Sequence, residues 1–181
     1  MINKDLEKHL NEYLNVAKFS DYCPNGLQIE GKTDLHKIIA GVSANQDLIE
    51  YAIDEQADAL LVHHGFFWKN ENPAIIGIKR NRIKALLDNN INLFAYHLPL
   101  DAHPIVGNNI QLALRLNIQN PMPIGDTLVW QGEVGSTLES VAQSVQTITQ
   151  RTPLVFGPKN KPIKKITWCS GGAQSYIEHA I

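Results

Sequence analysis

Ala59-Leu60-Leu61-Val62-His63-His64-Gly65-Phe66-Phe67-Trp68 begins as a four-residue apolar run and breaks off at two vicinal histidines and a glycine. A run of that length and apolarity, stopped by a turn residue, predicts a buried strand. Open α/β sheets place their ligands just beyond the carboxyl ends of strands, and neutral imidazole is the commonest metal-binding side chain near neutral pH. His63 and His64 are therefore candidate metal ligands at a strand tip. Adjacent residues on extended backbone point to opposite sides, so the pair is expected to serve two neighbouring ions, or a single ion only if the chain bends at Gly65. The plainer alternative, one histidine bonded in the core and the other exposed, stays open on this dipeptide alone.

The surroundings repeat the pattern. Residues 37–42 predict a short strand, and residues 45–57 a helix with Leu48, Ala52 and Ile53 turned inward. Residues 75–89 predict a helix with Ile83, Leu86 and Leu87 on its buried side, and residues 91–96 a strand that ends, like the first, in a histidine, His97. Strand, helix, strand, helix, strand at this spacing needs crossover connections. The expected fold class is α/β, a mainly parallel sheet with helices on both faces.

Upstream, Ile2, Leu6, Leu10 and Leu14 recur every four residues, predicting a surface helix with Asn3 as its N-cap. Residues 21–31, with Pro24 and the Asn25-Gly26 pair, predict an ordered loop. Downstream, residues 107–117 read as a helix and residues 119–126 as a break. Residues 130–134 read as a strand, and Ser136-Thr137-Leu138-Glu139 as a capping box that starts another helix. Residues 153–156 and 166–169 are two further strand candidates. The second runs into Ser170-Gly171-Gly172 and a last βα unit that reads as incomplete. Residues 1–181 are accordingly expected to be a single α/β metal-binding domain, a C-terminally truncated copy of a longer one.

Composition narrows the functional classes. The chain has 44% hydrophobic and 19% charged residues, ordinary for a globular domain, and a formal charge of −2, which gives no reason to expect nucleic-acid or anionic-membrane binding. No apolar stretch reaches the roughly 18 residues of a membrane span, and the N-terminus lacks a signal-peptide core, so a cytoplasmic location without membrane partners is expected. Cys23 and Cys169 lie outside any Cys-x-x-Cys pattern and read as buried thiols. No Walker A motif is present, and Ser170-Gly171-Gly172 reads as a tight structural turn.

Chemistry concentrates again in Tyr96-His97-Leu98-Pro99-Leu100-Asp101. A histidine and a carboxylate four residues apart, on backbone stiffened by proline, add negative charge that His63 and His64 cannot supply. Such a mixed imidazole and carboxylate set suits zinc, iron, manganese or a similar divalent ion better than magnesium. His103, followed by Pro104, reads as a solvated turn residue.

Asn25-Gly26-Leu27-Gln28, Leu61-Val62-His63-His64-Gly65 and Tyr96-His97-Leu98-Pro99-Leu100-Asp101 together resemble the family of GTP cyclohydrolase I type 2 homologues, also called NGG-interacting-factor-three-like proteins. Gly107-Asn108-Asn109 and Cys169-Ser170-Gly171-Gly172 agree in order and spacing. The resemblance implies a dinuclear centre of two divalent ions held by His63, His64 and Asp101, with His97 beside it as an additional ligand or an adjacent partner. It also implies self-association into a toroidal homohexamer with inward-facing sites. Members continue into a segment that brings another histidine and a glutamate. Glu178 and His179 match by residue type, but they are adjacent rather than spaced for that site. The implied activity is metal-dependent hydrolysis of a nucleotide or related small-molecule substrate. The alternative is a non-catalytic metal carrier, insertase or oligomeric scaffold with the same ligands.

Overall fold

The computed structural model describes residues 1–180, excepting the side chains of residues 179 and 180. It divides into two compact units, Met1–Leu100 and Asp101–Ile181. The first contains α1 (Asn3–Tyr13), a 3-10 turn (Val16–Lys18), β1 (Gly26–Ile29), β2 (Ile38–Ser43), α2 (Gln46–Asp54), β3 (Ala59–His64), α3 (Gly77–Asp88) and β4 (Asn92–Ala95). Its strands form one sheet in the order β1-β4-β3-β2. β2 and β4 both run parallel to the central β3, as the crossover helices require, while β1 pairs antiparallel with β4.

Alternation along the strands sorts side chains into two apolar clusters. Leu60, Val62, Leu93 and Ala95 pack with Ile49 and Ala52 of α2 and Ile83 and Leu86 of α3. Ala59, Phe94 and Tyr96 pack with Leu6 of α1 and with Leu14 and Leu35. Burying a Leu- or Phe-sized side chain contributes about 1.5–3 kcal/mol, so these clusters are what hold β3 and β4 in place. α2 is started by Asn45, whose Oδ1 accepts from the Leu48 amide at 2.9 Å.

Several local expectations change. Residues 26–29 form a strand, not loop, because the Asn25-Gly26 turn feeds an edge pairing with β4; Gly26 takes φ +111°, which other residues rarely adopt. Ile2 occupies the N-cap of α1, and the side chain expected to cap, Asn3, is buried and donates instead to Asn92 Oδ1. Leu87 is 52% exposed, since the buried residues of α3 are Ile83 and Leu86, with Ala85 packed beside them.

Asp58, at the base of β3, is a buried carboxylate that accepts from Lys32 Nζ (2.6 Å) and from the amides of His36 (2.8 Å) and Lys37 (3.0 Å). The hydrogen bond from Lys32, reinforced by the two amides, outweighs burial and pulls its carboxyl down to about 2. A depressed carboxylate stabilises the fold above its ordinary pKa and loses that contribution as pH falls through the folded value. With Lys32 half exposed and screened, the contribution is about 1–2 kcal/mol. Urea titrations should therefore show wild type more stable than Asp58→Asn at pH 6, with the gap closing between about pH 4 and 2; a constant gap would contradict this.

α4 (Leu98–Ala102) contains the residue at which the first unit ends. The second unit contains α5 (Asn108–Arg115), β5 (Gln119–Pro123), β6 (Trp130–Thr137), α6 (Leu138–Thr149), β7 (Pro162–Trp168) and a 3-10 segment (Gln174–Ala180). The parallel pattern does not continue: β5, β6 and β7 make a separate, wholly antiparallel sheet in that order. The chain is thus mixed α/β, with one mostly parallel and one antiparallel sheet. β5 arises where a break was expected, its two prolines tolerated on an edge strand. Residues 153–156 form no strand. Thr137, not Ser136, caps α6, accepting from the Ser140 amide at 3.3 Å. His179 and the residues after it, where the unfinished unit was expected to end, lie outside the described side chains.

Among the described residues, no helix is long and apolar enough to cross a membrane.

Candidate metal centre

Parallel pairing brings the carboxyl ends of β2, β3 and β4 side by side. Ser43 on β2 is in register with His64 on β3, and Val62 with Ala95 on β4. The ladder runs one step further through the Tyr96 amide, which donates to Val62 O at 3.0 Å. His63, His64 and His97 consequently meet at one edge of the sheet. Their ring centroids lie 4.3 Å (63 to 64), 5.1 Å (63 to 97) and 5.7 Å (64 to 97) apart. One ligand atom from each lies within 4.8 Å of the others.

The two vicinal rings, 4.3 Å apart at the tip, are each held by a different neighbour. His63 Nδ1 bonds Tyr96 O at 3.0 Å, and His64 Nδ1 bonds Ser43 Oγ at 3.2 Å. Gly65 makes the tip compact: a Cβ there would meet Gln28 Oε1 at 2.2 Å and Ala95 Cβ at 2.7 Å.

β1 and the loop before it brace this edge. Gln28 Oε1 accepts from the Phe66 amide at 2.7 Å while its Nε2 donates to Pro24 O at 2.8 Å. Asn25 Oδ1 accepts from the His97 amide at 2.7 Å. Asp21 Oδ1 meets His97 Nδ1 at 2.7 Å, and its Oδ2 accepts from the Leu98 amide at 2.8 Å. Burial by itself would push the Asp21 carboxyl up, but hydrogen bonds from His97, Asn25, Leu98 and Tyr22 outweigh it and hold it down at about 2. Cys23 is buried nearby; desolvation, with the Asp21 charge, pushes its thiol up to about 12, so it stays protonated at neutral pH.

Of the aromatic run after Gly65, Trp68 walls the site, its ring 4.9 Å edge-on from His97 and its Nε1 donating to Gly65 O at 3.3 Å. Phe66 enters the core.

Three imidazoles within this spread can hold a divalent ion. A shared ion at about 2.0–2.1 Å from each nitrogen needs donors roughly 3–4 Å apart, and these lie within 4.8 Å of one another. Nδ1 of each ring is engaged, so an ion would be taken through Nε2. Imidazoles oriented by a second hydrogen bond are the usual setting for a bound metal. Asp101 is buried in the second unit, where its Oδ1 accepts from Asn108 Nδ2 at 2.8 Å and from Ser170 Oγ at 2.9 Å. His103 is not solvated as expected. It is buried, and its Nδ1 accepts from the amides of Ile105 and Val106, both at 3.2 Å, so it organises the turn.

The family model for Duf34/NIF3 (NGG1p interacting factor 3) matches residues 1–181. The chain belongs to the Duf34/NIF3 family. Two NIF3 relatives are named GTP cyclohydrolase 1 type 2 homolog. The one from Haemophilus influenzae is 50% identical over 188 residues, 99% of this chain and 74% of the relative. The one from Pseudomonas aeruginosa is 45% identical over 182 residues, 97% of this chain and 72% of the relative. Among solved structures the NIF3 chain superposes on protein ybgI, described as of unknown function, with a TM-score of 0.91 at 48% identity, covering 98% of this chain and 73% of that one. TTHA1606 from Thermus thermophilus gives 0.87 at 34%, covering 100% and 75%.

Asp21, Asn25 and Gln28 were missed as site residues by sequence reasoning, which saw only a loop. Asn25-Gly26-Leu27-Gln28 was noticed as a motif. Its purpose, holding two strand tips 38 to 72 residues away, shows only in the fold.

Proposed function

We propose that this NIF3 chain is a divalent-metal protein whose His63, His64 and His97 bind the ion, and that the loaded site hydrolyses a nucleotide or related small molecule. The observation that carries the reading is the convergence of three ring-braced imidazoles at the tips of two parallel strands. The family resemblance adds Asp101 as a ligand and a second ion. A bound divalent ion would supply Lewis acidity toward water or a substrate oxygen. The chain's own residues would do the rest: Tyr96 O, Ser43 and Asp21 orient the three rings, and Trp68 shields one side from solvent. The nucleotide substrate is supported by the relatives' names, GTP cyclohydrolase 1 type 2 homolog. The same resemblance supports a cytoplasmic ring of six copies, which sedimentation of the purified chain tests.

The experiment is titration of chelator-stripped protein with Zn²⁺, Mn²⁺ and Fe²⁺, followed by assays on GTP and a chromogenic phosphoester. Binding with metal-dependent turnover is the expected result. Binding without turnover would leave a carrier or insertase, and absence of binding would refute the reading altogether.

A further inference from the structure

The aromatic run after Gly65 divides by role. Phe66 is buried in the core of the first unit and Phe67 packs against it, while Trp68, half-buried, belongs to neither apolar cluster. Trp68 is held by polar ties instead. Its amide donates to Glu71 Oε2 at 3.2 Å, its carbonyl accepts from the Glu71 amide at 3.0 Å, and its Nε1 donates to Gly65 O at 3.3 Å. The next amide, of Lys69, donates to Tyr22 O at 2.6 Å, which fastens this turn to the loop before β1, where Tyr22 itself is 57% exposed. Just ahead of Trp68 the backbone is strained: Phe67 takes φ +65°, a left-handed conformation that a bulky residue adopts only where its surroundings enforce it. The turn so held sets the indole at the histidine edge, 4.9 Å from the His97 ring and 5.8 Å from the His64 ring.

We propose that Trp68 is a specificity-determining residue of this edge: its indole face stacks on the planar ring of the substrate, which makes that substrate a small molecule bearing a nucleobase. This rests on the hydrolytic reading above and adds to it the group that selects the ring. An indole N–H is a donor only, and this one is spent on Gly65 O, so what Trp68 offers a ligand is a flat apolar face. Such a face attracts the π-face of any base. Fixing it beforehand lowers the ordering cost of binding. A ring there only to fill space would pack into the apolar cluster, as its two neighbours in sequence do.

GMP and ribose 5-phosphate share the sugar phosphate and differ in the base, so the ratio of their affinities isolates the stack. In calorimetric titrations of the Zn²⁺-loaded 181-residue chain, GMP should bind about 5–150-fold more tightly than ribose 5-phosphate. Trp68→Leu should collapse that ratio toward one, and Trp68→Phe should restore part of it. An indole with a merely structural role would lower both affinities together and leave the ratio as it was. Photolysis of 8-azidoguanosine monophosphate with wild type should label the peptide that contains Trp68, a test that stands even if the variants do not fold. Label confined to other peptides, wild type that binds GMP no more tightly than ribose 5-phosphate, or an unchanged ratio in Trp68→Leu would each overturn the proposal while leaving the metal reading intact. Failure of wild type to bind Zn²⁺ would overturn the reading on which the proposal rests.

Discussion

His63→Ala combined with His64→Ala is expected to bring bound divalent metal close to zero while the first unit stays folded. Structural zinc sites with four ligands bind with about 10–16 kcal/mol, roughly 3 kcal/mol for each ligand. Removing two imidazoles therefore weakens binding by about 6 kcal/mol, on the order of 10⁴-fold. The cost to folding is much smaller. Both side chains sit half-buried at a strand tip, outside the two apolar clusters. Each gives up a hydrogen bond, to Tyr96 O or to Ser43 Oγ, worth about 1 kcal/mol, along with its contacts to neighbouring rings at the tip. Elemental analysis and Zn²⁺ titration, paired with circular dichroism, separate the two effects. Wild-type metal content in a folded double variant would remove these histidines from the site.

Asn92→Ala should be the most damaging single truncation in the first unit. Asn92 begins β4, is fully buried, and uses all of its hydrogen-bonding capacity on other segments. Its Oδ1 accepts from the Gly31 amide at 3.0 Å and from Asn3 Nδ2 at 3.3 Å. Its Nδ2 donates to Lys32 O at 2.8 Å and Asp58 O at 3.0 Å. Alanine leaves these partners buried without a replacement and opens a void as well. Each stranded group costs about 1–3 kcal/mol. Allowing for partial relaxation, the loss is about 3–5 kcal/mol, a fall in melting temperature of roughly 10–20 °C. A shift under about 3 °C in a thermal melt would show that water or a rearranged loop satisfies those groups.

The legible part of this protein was the part written in local pattern. Ala59 to Val62 announces a buried strand because four consecutive apolar residues leave little else to form, and a histidine after each of two such strands marks the sheet edge where ligands gather. The strand tips were therefore readable, and so was the parallel pairing of β2, β3 and β4. The brace was not. Asp21 acts on a residue 76 positions away and Gln28 on one 38 positions away, and neither periodicity nor propensity encodes a contact of that kind. Edge strands failed for a related reason. Gln119-Asn120-Pro121-Met122-Pro123 has poor strand propensity but finds a partner in β6, whereas Leu154 and Phe156 have good propensity, find none, and remain 84% and 82% exposed. Pairing rather than composition decided both.

Because β2, β3 and β4 run in step, the separation between the floor of the sheet and its three imidazoles is counted in whole residues. Swapping Leu60 for another aliphatic side chain is a change of filling; deleting it is a change of gearing. One residue fewer in β3 would turn the side chains after the deletion to the opposite face and draw His63 and His64 back from the rim by a full step of about 3.3 Å. In this protein the length of that strand is a more rigid specification than its spelling.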